Sequence, residues 1–109
     1  MKGRPVIPRQ RALRDIEEAV AWYLGEDAAS AALGFIDAVE QAFEHIGRNP
    51  AAGSPRYALE LNLPGLRWWP LARYPYLVFY VEAVDHVDIW RVLAAPRNIP
   101  VWLQEVEPG

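Results

Sequence analysis

The stretch that decides the fold is YLVFYVEAVDHVDIWRVLA, residues 76–94. Its first part, Tyr76–Val81, is an apolar run with little alternation, which is typical of a strand in the centre of a sheet. Its last part, Val87–Leu93, again reads as a strand, and the polar pair Asp85-His86 supplies the turn between them. The stretch therefore predicts a β-hairpin whose first strand is central.

Upstream of this hairpin, apolar residues repeat with the period of a helix. The first set is Leu13, Ile16, Val20 and Tyr23, with Leu24 beside them. The second set is Ala32, Ile36, Val39, Phe43 and Ile46. Gly25 is a plausible end of the first helix and Asp27 a plausible N-cap of the second, which Asn49-Pro50 terminates. The pattern predicts an antiparallel helical hairpin that covers one face of the sheet, with solvated carboxylates on its opposite faces: Asp15, Glu18, Asp37, Glu40 and Glu44.

The remaining segments complete an α+β fold with the element order β-α-α-β-β-β and a mainly antiparallel sheet. Residues 4–8 hold two prolines and predict a short strand at the edge or end of the sheet. Residues 49–65 predict a loop with one extended piece at Ala58–Leu61, and Leu66–Trp69 predicts the next short strand. A short turn or helix is expected at Val101–Glu107, limited by the prolines on both sides.

Composition limits the classes of function. The 109 residues are enough for a single domain, here taken as residues 1–109, with one core. Cysteine is absent and there are only two histidines, so no thiolate site, multi-histidine metal site or cofactor is expected. No apolar run approaches a membrane span and no signal peptide is visible, which favours a cytoplasmic protein. Residues 12–48 hold two arginines against eight carboxylates, so direct, specific nucleic-acid binding is not expected.

Several stretches together resemble the ParE branch of the ParE/RelE toxin family of type II toxin–antitoxin systems. The first helix, Leu13–Leu24, is similar to the first helix of these toxins, and the second helix runs into a similar Pro-x-x-Gly stop at Pro50–Gly53. Three further stretches are similar to the strands and tail of the family: Leu66-Arg67, Tyr76–Tyr80, and Ile89–Leu93 followed by Pro96–Pro100. No single stretch is specific for this family, but the order and spacing of all of them over roughly residues 4–103 are specific for it.

The resemblance implies a toxin that an antitoxin wraps and neutralises, with a ribbon-helix-helix DNA-binding domain on the antitoxin and a toxin–antitoxin hetero-oligomer as the resting form. ParE-type relatives inhibit DNA gyrase, whereas RelE-type relatives cut mRNA on the ribosome. Many ParE members have a histidine near Ala94-Ala95 and a pair of basic residues before the aspartate or asparagine. This chain has Pro96-Arg97-Asn98 there and no histidine. That departure raises a third possibility, a non-toxic relative that only binds its antitoxin.

A nuclease would need a general base, a general acid and cations for the phosphorane charge. The sheet region has no lysine, and the residues after Arg97 include neither tyrosine nor histidine. His86 can titrate, but it lies in a predicted turn at the far end of the hairpin. No catalytic residue is therefore assigned, and the ribosome-dependent endoribonuclease remains the alternative to a gyrase inhibitor that works by binding.

Binding chemistry is carried by arginines interleaved with large aromatics, a composition typical of interface hot spots. For Arg91, two interpretations stay open: it contacts a partner's carboxylate, or it pairs internally with Glu82 or Asp88, because an unpaired buried charge is costly. The residues expected to bind the target or the antitoxin are Arg67, Trp68, Trp69, Arg73, Trp90, Arg91, Arg97 and Trp102.

Overall fold

The computed structural model describes residues 3–95, and within them the order of elements expected from the sequence is confirmed. The strands and helices are β1 (Val6–Pro8), α1 (Gln10–Gly25), α2 (Ala29–Arg48), α3 (Arg56–Glu60), β2 (Leu66–Pro70), β3 (Tyr76–Glu82) and β4 (Val87–Ala94). A single 3-10 turn at Pro50–Ala52 follows α2. The expected turn or helix at Val101–Glu107 lies outside the described residues.

The four strands form one sheet in the order β1-β4-β3-β2, which confirms that Tyr76–Val81 is central. β1 runs parallel to β4, and the two other pairings are antiparallel. The register between β3 and β4 shifts once: Phe79 lies opposite Arg91 and Tyr80 opposite Ile89. Trp90 is thus the extra residue of a β-bulge, which re-aims the side chains that follow it.

The helical hairpin packs on one face of the sheet and encloses the larger core. This core joins Phe35, Val39 and Ile46 of α2 to residues of β3 and β4. The helix α1 contributes small residues, Ala12 and Ala19, which let it approach the sheet closely. Because α1 turns these small residues inward, Ile16 and Val20 are only partly buried, and Leu13 and Leu24 are exposed.

A smaller core lies on the opposite face of the sheet. It consists of Leu66, Phe79 and Leu93 with partly buried residues around them. Residues 56–60 form α3 over this face, so the extended piece expected at Ala58–Leu61 is wrong. Tyr57, Ala58 and Leu61 pack against this core with helical spacing, and burial of that short apolar face explains the helix.

The link between α1 and α2 also differs from expectation. Asp27 does not cap α2: Ala28 is the N-cap residue, and no side chain bonds to the first turn. Asp27 instead adopts the left-handed conformation, with φ of 56°. An aspartate tolerates this conformation better than most residues, so Asp27 reverses the chain after α1.

Tyr80 fastens the segment after α2 to the sheet. Its hydroxyl donates to the carbonyl of Pro50 at 2.7 Å and accepts from the N–H of Gly53 at 2.9 Å. Burial raises the pKa of this phenol. Gly53 has no room for a side chain, because an added Cβ would meet the Tyr80 hydroxyl and the backbone carbonyl of Trp68.

Candidate functional site

Arg91 is buried in an internal ion pair, but with a partner that the sequence did not suggest. Its guanidinium donates to both carboxylate oxygens of Asp15 in α1, at 2.7 and 2.8 Å. The N–H of Val92 donates to the same carboxylate at 3.0 Å. Asp15 is 6% exposed, so its expected place on a solvated helix face is wrong. Internal pairing of Arg91 is confirmed, whereas Glu82 and Asp88 as its partners are wrong.

The two rejected carboxylates hold other arginines at the sheet edge. Glu82 pairs with Arg4 at 3.2 Å, and Asp88 pairs with Arg9 at 2.8 Å. The Arg9 guanidinium also lies 4.6 Å from the ring centroid of Trp90, whose indole N–H donates to Asp88. Arg9 therefore links β1 to the bulge in β4.

Trp68 and Trp69 point to opposite faces of the sheet, as neighbours in a strand do. Trp69 packs against the larger core and stacks on His45 of α2, with ring centroids 4.1 Å apart. Trp68 packs against the smaller core beneath α3. Both indoles are partly buried. Because they lie on opposite faces of the sheet, they do not form one continuous aromatic surface.

Arg67 and Arg73 differ in what their side chains do. Arg67 donates to the carbonyl of Gly53 at 2.8 Å and so supports the segment after α2. Arg73 lies in the turn between β2 and β3 with φ of 69°, a strained conformation for an arginine. Its exposed side chain lines a small polar cleft with Asp37 and Gln41 of α2.

The structure thus does not gather the expected site residues in one place. Trp68 and Trp90 share the smaller core, Trp69 lies on the helical face, Arg91 is internal and Arg73 occupies a turn. Arg97 and Trp102 lie outside the described residues.

A cleft of about 450 Å³ opens between α1 and the end of the hairpin formed by β3 and β4. Its rim carries Trp22, whose side chain is unusually exposed for a tryptophan at 59%. The remaining lining is mostly apolar, with two carboxylates: Asp15, Glu18, Ala19, Tyr23, Pro75, Tyr76, Val92, Leu93 and Ala94. Site prediction from the sequence missed Trp22, although its position one residue before Tyr23 places it beside the buried face of α1.

Packed aromatic rings stand behind this cleft. Tyr23 makes edge contacts with Trp22 and with Tyr74, at centroid distances of 5.1 and 5.7 Å. Phe35 contacts Tyr76 at 4.9 Å. Burial raises the pKa of Tyr23, and its neighbours Tyr76 and Tyr74 add to the effect. The cleft therefore has a preformed aromatic wall, of the kind that receives an apolar side chain from a partner.

The next feature is the placement of the side chains that could bind a metal ion or transfer a proton among the described residues. No group of three or more metal-ligating side chains comes together within residues 3–95. His86 bonds to Asp85 at 2.7 Å in the β3–β4 turn and lowers the pKa of that carboxyl. This turn lies at the opposite end of the hairpin from Ala94 and the cleft. In the same part of the chain, no helix has the length and apolarity needed to cross a bilayer.

A helical hairpin on a small mixed four-stranded sheet, with an aromatic cleft beside α1, defines a small protein of the α+β class. The family model described as the ParE toxin of the type II toxin–antitoxin system parDE matches residues 6–99. The chain therefore belongs to the ParE toxin family, and the resemblance seen in the sequence is confirmed.

A solved structure described as the chromosomal ParDE TA system from P. aeruginosa has the same fold, with a TM-score of 0.70. The two chains are 18% identical, and the match covers 84% of this chain and 95% of the other. No curated protein matches this chain significantly.

Proposed function

We propose that this protein is a growth-arresting toxin that inhibits DNA gyrase by binding to it in the cytoplasm, without a catalytic step of its own. Membership of the ParE family carries this proposal. The state of the arginines supports it: Arg91 and Arg67 are bonded to groups of their own chain and serve the fold. Binding chemistry remains at exposed positions, chiefly Trp22 and Arg73.

The second part of the proposal is that a cognate antitoxin covers the cleft beside Trp22. An apolar side chain from an amphipathic antitoxin segment would fill the cleft and remove the Trp22 indole from water, which favours association. The DNA-binding part of such an antitoxin would be a ribbon-helix-helix domain, and the pair would form a hetero-oligomer.

Arg73 supports a further polar contact in that complex. Its side chain projects from a turn that is held in place, since the hydroxyl of Tyr74 donates to the carbonyl of Ala31 at 2.8 Å. Because the turn is fixed, its backbone loses little freedom when the Arg73 guanidinium binds a carboxylate, so only the side chain has to be ordered. An acidic residue of the antitoxin or the target is the partner that this side chain fits.

The endoribonuclease alternative is less well supported. Arg67 and Arg91 would have to leave the Gly53 carbonyl and the Asp15 carboxylate to reach a phosphate. The non-toxic relative remains the other alternative, and growth after induction separates it from both toxins.

The test is a tightly controlled induction of the protein without antitoxin, with plasmid supercoiling and mRNA integrity measured in the same cells. Relaxed or cleaved DNA with intact mRNA is the expected result. Codon-periodic mRNA cuts would overturn the gyrase proposal in favour of the nuclease. Continued growth with neither change would instead identify a relative that only binds.

A further inference from the structure

The outer side of the helical hairpin exposes more apolar surface than the fold requires. Leu24 is 55% exposed and Leu33 is 69% exposed, at the linked ends of α1 and α2. Leu13 and Ile36 are exposed as well, and Val20 and Phe43 are only partly buried. Apolar side chains clustered on one surface indicate a place of contact with another molecule.

Helix geometry places these side chains on one surface. Leu13, Val20 and Leu24 are separated by seven and four residues, which puts them on the same face of α1. Leu33 and Ile36 are three residues apart on α2. The link at residues 26–28 folds α2 back beside α1, so the two apolar rows run along one seam of the hairpin. This surface, the hairpin seam, is separate from the cleft, where α1 presents Trp22 instead.

Carboxylates accompany the hairpin seam. Glu17 lies four residues after Leu13 and Glu40 four residues after Ile36, so each belongs to the exposed face of its helix. Neither of these two carboxylates has an ion pair among the described residues. By contrast, Glu44 pairs with Arg48 at 2.7 Å. The seam is therefore an apolar strip with two unneutralised negative charges near the middle of its helices.

The negative charges of the hairpin seam determine which kind of molecule can bind there. Anionic membranes and nucleic acids would be repelled by Glu17 and Glu40. A second copy of the chain would bring the same negative charges against each other, and any acidic segment would meet the same repulsion. An amphipathic helix with an apolar face and basic edges would bury the leucines and neutralise both carboxylates.

We propose that the hairpin seam is a second protein-binding surface, which receives a basic amphipathic helix of a partner protein. This surface is independent of the cleft and of the proposed action on gyrase. The anchors of the helix are the exposed side chains Leu13, Leu24, Leu33 and Ile36. Glu17 and Glu40 set its orientation and its preference for lysine and arginine.

The test uses two synthetic peptides of about 18 residues, long enough to form a helix on binding. Both carry leucines at helical spacing, one with lysines along the edges and the other with glutamates in the same places. Fluorescence anisotropy measures the affinity of each labelled peptide for the purified protein at low and moderate salt. We expect the basic peptide alone to bind, with an affinity that falls as salt rises.

Four variants assign the binding to the seam. E17K/E40K should weaken the basic peptide at least tenfold and favour the acidic one, whereas Glu60→Lys on α3 should change nothing. L24N/L33N should weaken it similarly, whereas Leu59→Asn, at a position 94% exposed outside the hairpin, should not. Denaturant unfolding of each variant confirms that these surface changes leave the fold intact.

Three results would overturn the proposal. The first is equal binding of the acidic and basic peptides. The second is binding that survives E17K/E40K but is lost in Trp22→Ser, which would place the peptide in the cleft. The third is a dimer in sedimentation equilibrium that L24N/L33N dissociates, which would make a second copy the occupant.

Discussion

Asp15 and Arg91 join the first helix to the last strand, across most of the length of the chain. Both side chains are buried, and the carboxylate receives three hydrogen bonds, two from the guanidinium and one from the N–H of Val92. Such a pair contributes little net stability compared with apolar residues of the same shape, but the loss of one partner leaves a buried charge alone. We infer that the pair acts mainly by specifying how α1 is positioned on β4.

We predict that Asp15→Asn or Arg91→Met alone lowers the free energy of unfolding by about 3–5 kcal/mol, because each leaves an uncompensated buried group. The double change D15L/R91M should recover part of that loss, since it removes both charges together but leaves the Val92 N–H without its acceptor. Urea unfolding measures all three variants. Arg48→Ala, which breaks the exposed pair with Glu44, is the control and should cost less than about 1 kcal/mol. Equal costs for the buried and exposed pairs would contradict this account.

His45 shows the opposite case, a side chain whose ring stacks on Trp69 but which buries an unsatisfied polar atom among the described residues. Its Nε2 is buried against Trp69 and has no hydrogen-bond partner within residues 3–95. We predict that His45→Phe raises the free energy of unfolding by about 1 kcal/mol, because it keeps the stacking and removes an unsatisfied polar atom. Thermal or urea unfolding checks this prediction. His45→Ala is the comparison, because alanine removes both the polar atom and the ring that stacks on Trp69. A destabilised His45→Phe variant would mean that Nε2 has a partner, such as a water molecule.

At the scale of elements, periodicity was a sound guide wherever an element is long. The helical hairpin, the β-hairpin at Tyr76–Leu93 and the central place of its first strand follow from apolar spacing, because burial of one face dominates in such segments. Short elements were harder to predict from the sequence. The helix α3 has only five residues, and its conformation depends on a small core formed by distant strands. Similarly, Asp27 is of a residue type that is common at N-caps, but here it is the residue with left-handed conformation that follows α1.

The segment that follows α2 is held by Tyr80, and this leads to a prediction for alkaline pH. Burial raises the pKa of Tyr80 in the folded state, so the unfolded chain releases the phenolic proton first. The stabilisation is complete below the unfolded pKa of about 10 and is lost as the pH rises through the folded value. We expect Tyr80→Phe to cost about 1–3 kcal/mol near neutral pH, where it orphans the Gly53 N–H and the Pro50 carbonyl.

The same variant should show a smaller further loss of stability than the parent protein above about pH 10. Part of the alkaline loss will remain, because the pKa of Tyr23 is raised too. Tyr57→Phe is the matched control, since the Tyr57 hydroxyl makes no hydrogen bond within residues 3–95. Urea unfolding at several pH values between neutral and alkaline makes the comparison. Parallel pH curves for Tyr80→Phe and the parent would contradict the assignment.

Over the whole molecule, the functional surface was less predictable than the fold. Interleaving of arginine and tryptophan predicted a set of binding residues, but it could not show which of those side chains the fold itself uses, as Arg67 and Arg91 are. The bulge at Trp90 and the sequence-distant Asp15 direct Arg91 inward, and neither is visible as a local pattern. Exposure of Trp22 follows from the small residues on α1, because Ala12 and Ala19 face the sheet in place of the larger side chains.

The cleft beside Trp22 gives the last prediction, which concerns the complex with the antitoxin. A ligand that binds only the folded state stabilises it, by about 4 kcal/mol when its concentration is a thousand times its Kd. We expect the co-expressed antitoxin to raise the free energy of unfolding of the toxin in this way. Trp22→Ser should remove at least half of that gain while leaving the free toxin about as stable as before, because the indole is mostly exposed in the free chain.

Chemical unfolding of the toxin with and without antitoxin measures the gain directly. Leu59→Ser, which removes an even more exposed apolar side chain away from the cleft, is the matched control and should retain the whole gain. If Trp22→Ser also retains it, the antitoxin binds elsewhere and the exposed indole serves another contact, such as the one with gyrase. If Trp22→Ser then also abolishes growth arrest, Trp22 is a target-binding residue. The retained stabilisation would show that the variant still folds and still binds the antitoxin.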